Sequence, residues 1–134
     1  MKYIDWLLCL LPRWGNTITV VCAIVYLTLF RDPVPEPLRV PLFPGADKVV
    51  HAIMFAALAF VWLTDMGKSN RLRIFIVAAG TAAAGGLIEI LQHVMAMGRT
   101  AEWADFYADA AGAVVGSCLA AWWLHVAGKR EHKA

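Results

Sequence analysis

Residues 74–97 read IFIVAAGTAAAGGLIEILQHVMAM, and this stretch decides the fold. It contains no proline and a single formal charge, Glu89. As a helix rising about 1.5 Å per residue it exceeds the roughly 30 Å hydrocarbon core of a bilayer. Working outward, three further apolar segments flank it at Trp14–Phe30, Asp47–Thr64 and Ala104–Ala127. The expected architecture is therefore all-α: one integral membrane domain over residues 1–134, a bundle of four transmembrane helices (14–30, 47–64, 74–97, 104–127) with short loops and a polar tail at 128–134. Ile4–Leu11 is apolar but too short to span, and with Trp6 and Trp14 it reads as an interfacial lead-in. Asp47 is the expected N-cap of the second span. The prolines at 33, 35, 37, 41 and 44 forbid helix and predict an extended loop before it.

Composition agrees. Of the 134 residues 60% are hydrophobic and 16% charged, with a mean hydropathy of +0.62, where a soluble domain averages about 45–50% and 25%. Twelve Lys and Arg against ten Asp and Glu leave +2, which excludes a nucleic-acid partner. Three cysteines make an odd, sparse set, and no disulfide is expected. No small-x-small cleavage site follows the first span, so a removed signal peptide is not expected. Eight basic residues (Lys2, Arg13, Lys68, Arg71, Arg73, Lys129, Arg130, Lys133) fall on one side and four (Arg31, Arg39, Lys48, Arg99) on the other. The positive-inside rule then places both termini in the cytoplasm of a bacterial-type inner membrane.

The informative residues are those that lipid would reject. Ionisable groups inside a bilayer cost several kcal/mol unless they face a protein interior. Asp47, Lys48 and His51 share the first turns of span two. Glu89, Gln92 and His93 stand at i, i+3 and i+4 in span three, and Asp105 and Asp109 at i, i+4 in span four. With Arg99 these groups converge toward the outer end. At about 100° per residue, Glu89, Gln92 and His93 share a face with Gly85 and Gly86, while Leu87, Ile90, Leu91 and Val94 lie elsewhere. Asp105 and Asp109 share a face with Gly112 and Gly116, a small-x-x-x-small pattern that lets helices approach closely. The expected binding residues are thus Asp47, Lys48, His51, Glu89, Gln92, Arg99, Asp105 and Asp109. Gly85, Gly86, Gly112 and Gly116 are the expected packing residues. His51, Glu89 and Asp105 are the candidates for acid–base chemistry. No metal is expected, because neither His-x-x-x-His nor Glu-x-x-His occurs, and no cofactor motif is present. Trp62, Trp103, Trp122 and Trp123, near span ends, are expected as interfacial anchors.

These motifs resemble the VanZ-like family of small polytopic membrane proteins: Asp47-Lys48-x-x-His51, Glu89-x-x-Gln92, and Arg99 followed by Asp105-x-x-Ala108-Asp109-x-x-Gly112-x-x-x-Gly116. The resemblance covers about residues 14–125. Asp109 departs from it, since the family pattern usually has Asn there. The family is named for a member found with glycopeptide-resistance genes and associated with teicoplanin resistance, and the resemblance alone does not carry antibiotic resistance to this chain.

Three functions fit the sequence. One is binding of an anionic lipid headgroup or lipid-linked cell-envelope intermediate in an outward-facing polar pocket, with Lys48 and Arg99 on the anion. Another is a membrane-embedded hydrolase or transferase acting on such a lipid. The third is a non-catalytic accessory subunit or assembly factor of a larger membrane complex, packing its glycine stripe against a partner membrane protein.

Overall fold

In the computed structural model the described residues are 12, 14–29, 45–94 and 103–131. They form four α-helices: α1 Gly15–Leu29, α2 Ala46–Asp65, α3 Arg71–Val94 and α4 Trp103–Glu131. Three of them, α2, α3 and α4 as far as Lys129, are long and apolar enough to cross a membrane. The fourth differs from expectation. With 15 residues, α1 reaches only about 22 Å, short of the hydrocarbon thickness. The N-terminal segment 4–11, the proline-rich loop and Arg99 lie outside the described residues.

Side chains from other helices tie down both ends of α1. At its N-terminus Asp65, the last residue of α2, accepts from the Thr17 amide (3.1 Å), the Thr17 hydroxyl (2.7 Å) and the Asn16 amide (3.2 Å). A carboxylate there satisfies otherwise orphaned N–H groups and complements the helix dipole. At the other end Gln92 Nε2 donates to the Thr28 carbonyl at 2.7 Å, one of the last-turn carbonyls that no helix can satisfy internally. These ties make α1 antiparallel to α2, with up-down-up-down order through the bundle.

Helix starts and stops depart from the sequence reading in two places. Asp47 is not the N-cap of α2; Gly45 is, with φ +88° and no side-chain cap. A left-handed backbone at that position suits glycine, and it shifts the helix start so that Asp47 falls in the first turn. The fourth helix, expected to end at about 127 before a polar tail, runs on to Glu131. At the start of α3, Asn70 Oδ1 accepts from the Arg73 amide at 2.8 Å, a cap that carries the helix upstream of Ile74.

The tightest contact joins α2 and α4, which run parallel. A Cβ on Gly112 would strike the Ala52 carbonyl oxygen, and one on Gly116 would strike that of Ala56. Both helices therefore present a small-x-x-x-small face, Ala52/Ala56 to Gly112/Gly116, and their backbones touch. Apolar clusters fill the remaining interior. Ile24, Phe55, Leu58 and Ile88 pack together, as do Ala59, Leu63, Val77 and Ala120. Trp123 is not an interfacial anchor: it is 8% exposed and packs edge-on to Phe60 at 6.4 Å. The Trp62 ring lies over Gly80, whereas Trp103 and Trp122 are exposed as expected. Ile53, Phe75, Leu87, Ile90, Val94 and Leu119 are exposed too, an apolar exterior suited to lipid.

Candidate functional site

Three helices each contribute one buried ionisable residue at the same level. His51 stands about 8 Å into α2 from Ala46, Glu89 about 8 Å into α3 from Val94, and Asp109 about 9 Å into α4 from Trp103. They are 5%, 6% and 0% exposed. His51 Nδ1 lies 2.9 Å from Asp109 Oδ1, and one donor atom from each of the three residues falls within 4.8 Å of the other two.

Local sequence explains the inward aim. On α4 the buried set Asp109, Gly112, Ala113, Gly116, Ser117, Ala120 and Trp123 follows a helical stripe. On α3 the stripe is Val77, Thr81, Gly85, Ile88, Glu89 and Gln92. Asp109 reaches α3 because Gly85 leaves room: a Cβ there would be 2.7 Å from Asp109 Oδ2 and 2.8 Å from its Cβ. A Cβ on Gly86 would stand 3.3 Å from the Phe106 ring. Both glycines thus pack α3 against α4.

The other expected residues take different places. Lys48 Nζ pairs with Asp47 at 3.1 Å and with Asp105 at 3.2 Å, the second bridge crossing from α2 to α4. Asp47 is exposed and Asp105 half-buried. Gln92 is buried, with its amide committed to α1. His93 is exposed and does not share the inward face of Glu89 and Gln92; at i+4 from Glu89 it rotates past the edge of a narrow buried stripe.

An open groove of about 400 Å³ runs along the exposed side of the α2–α4 seam. Val49, Ala52, Ile53, Ala56, Ala111, Gly112 and Val115 line it, with Lys48 at one end. Its walls are carbon, whereas the sequence suggested a polar pocket.

Sequence spacing missed the triad as a unit, because each member comes from a different helix and no local motif encodes the set. It also missed Ala52 and Ala56 as the surface that receives the glycine stripe. The signal was present, since two small residues four apart on α2 mirror those on α4.

The family model described as VanZ/LLP1 matches residues 12–124 of the chain. No curated protein and no solved structure matches it.

Proposed function

The chain belongs to the VanZ/LLP1 family, and with that as premise we propose that this multi-pass membrane protein binds an amphiphilic lipid with an anionic head. The lipid is a phospholipid or a lipid-linked envelope intermediate. One observation carries the reading: among the described residues, the groove between α2 and α4 has carbon walls and one ammonium, Lys48, at one end. An acyl chain fits the walls and a phosphate or carboxylate suits the ammonium. The head replaces Asp47 rather than Asp105, since Asp47 is exposed and pairs with its chain neighbour, while the half-buried Asp105 fixes Lys48 against α4. The distribution of Lys and Arg supports an outward-facing groove with both termini cytoplasmic.

The test is lipid analysis of protein purified in mild detergent. Lys48→Gln removes the ammonium, and Ala111→Phe fills the groove from its exposed rim. Each is expected to lower co-purified anionic lipid about tenfold, equivalent to roughly 1.4 kcal/mol. Unchanged anionic lipid in both folded variants overturns the reading.

A second reading, an enzyme acting on such a lipid, is favoured by the 2.9 Å His51–Asp109 contact. A carboxylate on one ring nitrogen orients an imidazole for acid–base work at the other. This reading expects His51→Ala to stop turnover of an added anionic lipid while lipid binding persists. The stripe that motivated an accessory-subunit reading, Gly112 and Gly116, is already occupied by α2.

A further inference from the structure

We propose that His51, Glu89 and Asp109 form a binding site for one divalent transition-metal cation, with one ligand supplied by each of α2, α3 and α4.

The first support is geometric. Donor atoms of the three residues lie within 4.8 Å of one another. Around a four-coordinate cation with bonds of about 2.0–2.1 Å, ligand atoms stand about 3.3 Å apart. The His51–Asp109 edge, at 2.9 Å, is already near that length. Without a cation this edge is closed by one shared proton, and a cation between the same two atoms replaces it. The edges onto Glu89 lie within the same 4.8 Å bound, and bringing them to ligand spacing falls within the reach of a rotating glutamate side chain.

The second support is an unpartnered oxygen. Asp109 is fully buried, and its Oδ2 accepts no hydrogen bond among the described residues. An ionised carboxylate oxygen without a donor in a low-dielectric interior is costly. Its position against Gly85, one helical turn from Glu89, directs it toward the α3 side of the triad.

Donor type is the third. The mixed nitrogen and oxygen donor set favours Zn²⁺, Mn²⁺ or Fe²⁺ over Ca²⁺ or Mg²⁺, which prefer oxygen alone. This site does not depend on the lipid reading above.

The experiment uses untagged full-length protein in detergent, stripped with a chelator and titrated with Zn²⁺ or Mn²⁺ alone. One ion per chain is expected. Glu89→Gln and Asp109→Asn are each expected to weaken binding on the order of 100-fold, while His93→Gln and His125→Gln, at exposed positions, leave it unchanged. Absence of stoichiometric binding, or binding that survives both carboxylate variants, overturns the proposal. If those variants fail to fold, the triple variant His93→Gln, His125→Gln, His132→Gln leaves His51 as the sole imidazole. Pulsed EPR of Mn²⁺ bound to it is expected to show coupling to a directly bound nitrogen, and bound Mn²⁺ without that coupling overturns the site.

Discussion

Gly85 and Asp109 occupy one another's space across the α3–α4 contact: a single added carbon on Gly85 would stand 2.7 Å from Asp109 Oδ2. The absent side chain therefore does more than bring two helices together. It sets how deeply Asp109 can reach toward Glu89. Gly85→Ala is expected to destabilise the protein by about 1–3 kcal/mol through overpacking. Gly86→Ala, which meets only the edge of the Phe106 ring at 3.3 Å, is expected to cost less. Thermal unfolding of the two variants in one detergent checks the order, and equal midpoints would show that Asp109 moves aside freely.

The α2–α4 seam makes a sharper prediction because backbone, not side chain, lies opposite the glycines. Carbonyl oxygens of Ala52 and Ala56 cannot rotate away from a new methyl group, so Gly112→Ala and Gly116→Ala force the helices apart along the length of the groove. Loss of the folded protein is the expected result for the pair. Gly128→Ala is the internal control. Among the described residues nothing lies within 4 Å of its Cβ position and it stands inside α4, so the substitution is expected to be neutral or to stabilise by up to about 1 kcal/mol. Size-exclusion profiles and unfolding midpoints separate these outcomes.

The sequence made three spanning helices, their inward faces and the shared depth of His51, Glu89 and Asp109 legible, because hydropathy and a 100° period report burial directly. Partner choice is another matter. That His51 meets Asp109, while Lys48 takes Asp105, depends on the parallel offset of α2 and α4, which the glycine contacts set and no local pattern states. The cap at Gly45 and the run of α4 to Glu131 were missed for a related reason. Asp47 and the charged tail have the right chemistry for a cap and a stop, yet a glycine before the first favours a left-handed turn, and Lys and Arg near a helix C-terminus are as compatible with helix as with coil.

The ties on α1 predict local rather than global effects. Asp65→Ala removes the acceptor used by Thr17 and Asn16. It is expected to cost about 1–2 kcal/mol, the range of a lost cap with a favourable dipole. Gln92→Leu leaves the Thr28 carbonyl without its donor and is expected to loosen the opposite end. Hydrogen exchange locates each effect: Asp65→Ala should speed exchange at Thr17 and Ile18 while amides in the middle of α3 stay protected. Uniform acceleration across all helices would mean that the cap holds the entire bundle.

Two hydroxyls deeper in the bundle give a prediction of opposite sign. Thr81 lies eight residues from Glu89 along α3 and Ser117 eight from Asp109 along α4, so both sit about 12 Å further from the site end than the triad. Each is buried, and neither Oγ has a hydrogen-bond partner among the described residues. A buried unsatisfied hydroxyl costs about 1–3 kcal/mol, and replacing it with an apolar group of similar shape removes that cost. Thr81→Val preserves volume and is expected to raise the unfolding midpoint; Ser117→Ala sacrifices one oxygen's packing and should gain less. Because the two stand at one depth on neighbouring helices, an ordered water bonded to both would reverse the result. Each single variant would then destabilise, and the double variant would cost less than the sum of the two.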